Sequence, residues 1–295
     1  MLSVATLVSP PGLAALDDRT LQNVARSIPG VEQTAWLDAR IAADIFFDAP
    51  ASAGLLGALR AGLAETRIDI FVQPVAHRRK KLLLADMDST MIEQECLDEL
   101  ADFAGLRDHV APITTRAMRG EIAFEPALRE RVALLTGLDI GVIDEIVASR
   151  ITLTPGAKML VATMRAHGAF SVLVSGGFTA FTEKIAAMIG FDDHMANVLG
   201  VAGGKLTGHV EEPVLGRAAK REILEELCRR RDISAEDVIA VGDGANDLDM
   251  LESAGLGVAF HAKPLVAAAA QARVVYGDLT ALLYAQGYSR VSFVA

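Results

Sequence analysis

Cysteine is nearly absent from this chain. Only Cys96 and Cys228 occur, both within helical patterns, so a disulfide framework is excluded and two reduced, non-catalytic thiols of a cytosolic (cytoplasmic) protein are expected. Positive charge is also scarce, with 28 Lys and Arg against 38 Asp and Glu and a formal net charge of -10. That balance makes nucleic acid and anionic membranes poor partners, and an anionic substrate must then be met by local positive charge. The basic runs at 77–81 and 229–231 have no interleaved aromatics and read as solvated faces or linkers. No apolar run reaches the length of a membrane span. The apolar first fifteen residues lack a basic start and are broken by Pro10-Pro11, so they read as a buried strand and not as a secretion signal.

What the chain does have is apolar content, 52% of 295 residues, enough for two cores. Residues 2–74 alternate between strand-like and helix-like patterns. Leu2 to Val8 reads as a strand, and Leu21, Val24, Ala25 and Ile28 form a helical stripe closed by Gly30. A hairpin follows over Gln33 to Phe47, then a helix from Ala51 to Leu63 and a strand from Ile68 to Val72. This βαββαβ order is that of a small ferredoxin-like α+β domain, a unit that binds a small ligand or pairs with a copy of itself.

Beyond the basic linker the pattern changes. Leu82 to Ala85, Phe170 to Val174 and Val238 to Val241 are unbroken apolar runs, as expected for strands buried on both faces of a parallel sheet. Between them lie helices, one with Thr154 as cap, Pro155 in its first turn and Gly168 beyond its end, another from Phe178 to Ile189 closed by Gly190. Strand and helix alternate, which predicts an α/β fold with a doubly wound, Rossmann-like parallel sheet. Roughly ninety residues separate Asp86 from Ser175, against about 30 for a βαβ unit. The excess carries the stripes Leu97, Leu100, Ala101, Ala104 and Leu128, Val132, Leu135, so it predicts a helical cap over the carboxyl ends of the strands, where ligands of open sheets bind. Val198 to Val210, with Gly203-Gly204 at its centre, predicts a second insertion, a hairpin.

Four polar motifs stand at the ends of the buried runs: Asp86-Met87-Asp88-Ser89-Thr90, Ser175-Gly176-Gly177, Lys220, and Gly242-Asp243-Gly244-Ala245-Asn246-Asp247. A carboxylate can attack phosphorus and a second one nearby can protonate the departing alkoxide, so Asp86 and Asp88 form a candidate catalytic pair. Such a pair repels itself unless a cation intervenes, and Asp243 and Asp247 add further acids of the kind that suit Mg²⁺. The glycines after Ser175 let backbone amides approach an anion, and Lys220 supplies charge to offset it. Singly, each motif is a common turn or surface residue. Arg131 shares the inward face of Leu128 and Leu135, which requires a partner for its charge, either a ligand or a cap carboxylate.

The order and form of these motifs, with FEPALRERVALL at 124–135 and Lys205-Leu206-Thr207-Gly208, resemble the haloacid dehalogenase superfamily, and within it the phosphoserine phosphatases. The resemblance extends over about 80–290. It implies Mg²⁺-dependent hydrolysis of O-phospho-L-serine at the end of serine biosynthesis, with Asp86 as nucleophile and Asp88 as general acid and base. It further implies Asp86, the Asp88 backbone carbonyl and Asp243 as metal ligands, supported by Asp247. Ser175, the Gly176 amide, Lys220 and Asn246 would hold the phosphoryl group, and Glu95 and Arg131 the amino and carboxylate groups of the serine moiety. Between Glu93 and Glu95 only the resemblance chooses. Residues 1–76 are similar to an ACT-like domain, with an amino-acid effector or a homodimer contact as its expected role. Residues 77–295 would be the phosphatase domain, with its cap at about 92–152. Two other readings stay open: a phosphatase or phosphotransferase for another small metabolite, and a non-catalytic amino-acid sensor.

Overall fold

In the computed structural model, which describes residues 2–118 and 121–295, the first strand and helix are β1 (Leu2–Val8) and α1 (Asp18–Ser27). They lead to the hairpin β2 (Val31–Asp38) and β3 (Ala42–Asp48), then α2 (Ala53–Gly62) and β4 (Asp69–Pro74). These strands form one antiparallel sheet in the order β2-β3-β1-β4, as the ferredoxin-like pattern requires. Period-two alternation divides its residues between two environments. Ala5, Leu7, Ala43 and Ile45 pack with Leu21, Val24, Leu56 and Leu59 of the two helices. Thr6 and Asp44 point the other way, where Thr6 donates to Asp44.

The second sheet is built from β5 (Leu82–Ala85), β6 (Phe170–Phe178), β7 (Asp193–Asn197), β10 (Val238–Gly242), β11 (Leu256–Phe260) and β12 (Ala272–Val274). Every pairing is parallel, in the order β12-β11-β10-β5-β6-β7. Successive residues of β5 explain the unbroken apolar run. Leu83 and Ala85 join a core with α7 (Ala157–Ala166) and α8 (Thr179–Ile189), whereas Leu82 and Leu84 join another with α9 (Arg217–Arg231) and α10 (Leu248–Ser253). The helices α11 (Pro264–Ala269) and α12 (Ala281–Ala285) complete the chain. The cap consists of α3 (Cys96–Phe103), α4 (Arg107–Met118), α5 (Phe124–Ala133) and α6 (Val142–Ser149). A bridge between Ile92 and Leu153 closes its neck. The predicted hairpin, β8 (Leu199–Ala202) with β9 (Lys205–Val210), docks on the cap through hydrogen bonds from Gly137 to Leu206 and from Ile140 to Gly204. The two insertions thus hold each other. Among the described residues, no helix is long and apolar enough to cross a membrane.

Two expectations need correction. Helix α7 begins at Ala157 behind Gly156, which sits in the left-handed region at φ 84°, and Thr154 provides no side-chain cap. A Cβ at Gly156 would lie 2.8 Å from the Thr280 amide nitrogen, so close packing against α12's approach decides this start. The run at 77–81 is not a solvated linker either: Arg78 and Lys80 are buried. Arg78 reaches Asp44 with both terminal nitrogens (2.6 and 2.8 Å), Thr6 at 2.8 Å and the Ala285 carbonyl at 2.8 Å. A buried carboxylate on the sheet face demanded a partner, and pairing overrode the tendency of short charge runs to stay in water. By contrast, Arg229 and Arg230 remain exposed and pair with Glu226.

Removal of one member of such a pair leaves the other charged and buried. Arg78→Ala is therefore expected to destabilise the protein by about 3–5 kcal/mol. Urea unfolding should show that loss, and Asp44→Ala added to the same chain should recover part of it. No loss in the single variant would mean that the pair contributes nothing to holding the two sheets together.

Candidate active site

The chain passes from β5 to β6 and β7 on one side, then returns to place β10 beside β5 on the other. The β5/β10 crevice is thus the topological switch point, where the carboxyl ends of the strands leave an opening. Asp86 follows β5 there, its amide bonded to the Val241 carbonyl at 2.9 Å, and Asp243 follows β10. Sequence adjacency to two neighbouring strands is what brings these acids together.

Lys220 enters from the second turn of α9 and is completely buried. Its ammonium bonds to Asp86 Oδ1 at 2.5 Å and to Asp247 Oδ1 at 2.6 Å. Asp247 is fixed in turn by the Gly244 amide at 3.0 Å. Burial opposes the Lys220 charge, but Asp247 and Asp86 outweigh it and hold the ammonium well above its ordinary range. Carboxylate oxygens of Asp86, Asp243 and Asp247 all lie within 4.8 Å of one another. Burial, followed by the charge of Asp247, raises the Asp86 carboxyl well above normal and pushes Asp243 up to about 6. One ammonium does not neutralise this set. The Asp88 side chain lies outside the cluster. It accepts from the Cys96 amide at the start of α3 (3.2 Å), and burial together with Glu95 pushes it up to about 7.

Ser175 Oγ accepts from the Gly177 amide at 2.8 Å. Side chains at the two glycines would intrude: a Cβ on Gly176 would meet the Phe124 ring at 3.1 Å, and one on Gly177 would meet Asp88 Oδ2 at 3.2 Å. The Gly176 carbonyl is held at 2.9 Å by Asn197, whose own oxygen accepts from the Leu215 amide at 2.6 Å. From the cap, Arg131 is half-buried and bonds only weakly, to the Ala127 carbonyl at 3.1 Å and to Thr114 at 3.4 Å. None of the ion pairs among the described residues includes Arg131, so a structural pairing with a cap carboxylate is not formed. Burial lowers its guanidinium while Asp98 and Glu95 act the other way. Glu95 accepts from the Ser89 hydroxyl at 2.7 Å.

A cavity of about 120 Å³ joins these groups: Asp86, Asp88, Glu95, Arg131, Ser175, Gly176, Asp243 and Asn246 all line it. Lys220 and Asp247 stand behind its wall. Glu93 lines a different hollow, beside Ser89, Phe260 and His261. Sequence reasoning missed Phe124 and Lys263 in the lining, and Asn197 behind it. Phe124 lay within the quoted cap stretch, but an aromatic at a helix start carries no signal of its own. Lys263 and Asn197 become recognisable only once β11 and β7 are placed.

A parallel sheet with buried acids at its switch point, covered by a helical cap, defines a capped α/β enzyme. The chain belongs to the haloacid dehalogenase-like hydrolase family, whose sequence model matches residues 83–252. It is 45% identical over 217 residues to the phosphoserine phosphatase of Archaeoglobus fulgidus, a match that covers 73% of this chain and 63% of that protein, so the chain spans less than two thirds of that relative's length. A haloacid dehalogenase family hydrolase of Salmonella enterica serovar Typhi superposes with a TM-score of 0.86 at 28% identity, covering 96% of this chain and 97% of the other. The phospho-aspartyl intermediate analogue of a phosphoserine phosphatase superposes with a TM-score of 0.65 at 43% identity, over 70% of this chain and 98% of that one.

Proposed function

We propose that the protein hydrolyses O-phospho-L-serine to L-serine and phosphate, the last step of serine biosynthesis. One observation carries this reading. A cavity with Asp86 and Asp88 at its floor has Glu95 and an unpaired Arg131 at its cap side, opposite charges that complement the ammonium and carboxylate of an amino acid. The relatives named above support the same substrate.

Asp86 is the nucleophile. Its carboxylate oxygen bonds to phosphorus as the bond from phosphorus to the seryl oxygen breaks, and Asp88 gives its proton to that oxygen. With its carboxyl pushed up to about 7, Asp88 is populated in both forms near neutral pH and serves as acid, then as base. In the second half it takes a proton from water, whose oxygen displaces Asp86 from phosphorus and leaves free phosphate. Ser175, the Gly176 amide, Lys220 and Asn246 hold the phosphoryl oxygens, and the amide donors need no reorganisation during the reaction.

The donors fit a hard divalent cation. All are carboxylate or carbonyl oxygens, and three of the carboxylates converge within 4.8 Å. Asp86, the Asp88 carbonyl and Asp243 would hold Mg²⁺, with Asp247 in support, and the bound ion would neutralise charge on the phosphoryl oxygens. Residues 1–76 are assigned as the ACT-like unit, with an amino-acid effector or homodimer role. Residues 77–295 are assigned as the phosphatase domain, with its cap at about 92–152. The free thiols Cys96 and Cys228 suit a cytoplasmic enzyme.

Substrate choice tests the reading. A charge-assisted hydrogen bond contributes about 1.5–3 kcal/mol, so Arg131→Ala should lower kcat/KM for phosphoserine by roughly one to two powers of ten. Phosphoethanolamine lacks the carboxylate, so wild-type turnover should already be poor and the variant should harm it much less. Equal losses with both substrates would assign Arg131 to the phosphate or to cap structure.

A further inference from the structure

A second polar cavity, of about 290 Å³, lies away from the catalytic cleft, where the two sheets meet. Strand β4 is the edge of the antiparallel sheet and β12 the edge of the parallel one. Asp69, at the start of β4, joins them by accepting the amides of Val275 (2.8 Å), Tyr276 (3.2 Å) and Gly277 (2.8 Å). Above this seam the cavity is lined by Arg60 from α2 and Arg273 from β12, with Leu63, Ile68 and Val275 among its apolar walls.

Neither guanidinium has a hydrogen bond or an ion pair among the described residues, and Arg60 Nη2 is buried with no partner at all. Burial lowers the Arg60 guanidinium, and the charge of Arg273 lowers it further. Buried donors of this kind are rarely left unmet in a native protein. Asp69 forms no hydrogen bond to either guanidinium, and its carboxylate is turned to three backbone amides. Two arginines and one aspartate leave a local charge of about +1, which a monoanion balances and a dianion overshoots. The volume falls below the 300–1,000 Å³ typical of drug-sized ligands, so the complement is small.

We propose that this seam is a binding site for a small monocarboxylate, held by Arg60 and Arg273 and bridging the amino-terminal sheet to the edge of the catalytic sheet. The planar carboxylate matches the fork of donors that a guanidinium presents. A bound ligand touches both units, so it tightens their docking in addition to filling a hole. None of this depends on the assigned phosphatase reaction.

The test uses the intact protein with Arg60→Met and Arg273→Met, which keep side-chain bulk and remove the charge. Isothermal titration with acetate, at chloride-matched ionic strength, should give saturable binding to the wild type. Each substitution should raise the dissociation constant about tenfold or more. Inorganic phosphate with Mg²⁺ is the contrasting probe: the catalytic cleft is expected to take it, so its binding should be unchanged in both variants. Far-UV circular dichroism and a cooperative melting transition like those of the wild type should certify the fold of both variants. Absence of saturable carboxylate binding to the wild type would overturn the proposal. Carboxylate binding that both variants retain would do the same, by assigning it to the cleft.

Discussion

Asp86→Asn is expected to reduce phosphoserine turnover by roughly five orders of magnitude, the scale seen when a catalytic nucleophile is removed. The amide is nearly isosteric and its oxygen can still accept from Lys220, which reaches Asp86 at 2.5 Å in the native protein. The fold and the cradle should therefore survive while the attacking oxygen loses its negative charge. Substitution even relieves a cost, because burial and the neighbouring Asp247 already disfavour the ionised form. Single-turnover measurements with ³²P-labelled substrate separate the possibilities. Wild-type enzyme quenched in acid should carry label, and the variant should carry none. A labelled or fully active Asp86→Asn protein, after deamidation has been excluded, would move the nucleophile elsewhere.

Removal of divalent metal should have an effect of similar size. Asp86, Asp243 and Asp247 are three converging carboxylates served by one buried ammonium, Lys220, with Asp88 lining the same cavity and the half-exposed Lys263 as far as 4.0 Å from Asp243. A phosphate dianion entering that field meets net repulsion, and burial strengthens it. Chelation should abolish phosphate release, and Mg²⁺ should restore it. Because the ion binds the folded site and not the unfolded chain, Mg²⁺ should also raise the melting temperature in a concentration-dependent way. Asp243→Asn should weaken both responses. Ca²⁺ is expected to bind yet inhibit, since its longer and looser coordination misplaces the nucleophile. Undiminished turnover in chelated, metal-free protein would rule out this role for the acidic cluster.

These expectations rest on a site that was largely legible in the chain, for a definite reason. Each acidic motif follows a run of apolar residues without alternation, and such runs become central strands of a parallel sheet. The ends of central strands converge on the switch point whatever the loops do. Arg131 was legible through helical periodicity, since three and four residues separate it from buried Leu128 and Leu135. Lys220 was not legible on its own: a lysine in the first turns of a charged helix is ordinarily solvated, yet this one is fully buried between two aspartates. Likewise, nothing local distinguishes Glu95 from Glu93. The cap's neck turns only the former toward the cavity.

The sequence by itself determined the two sheets, the order of their strands' chemistry, the presence of a helical cap and the acids at the strand ends, because periodicity and burial act over a few residues at a time. Tertiary structure decided the rest: that Arg78 leaves solvent to pair with Asp44, that Asp69 stitches β4 to the chain after β12, and that Arg60 and Arg273 face one cavity. Each of these depends on groups separated by many residues, from 34 between Asp44 and Arg78 to 213 between Arg60 and Arg273. A charged group's fate is set by the partner that packing brings to it, and no local pattern encodes that partner.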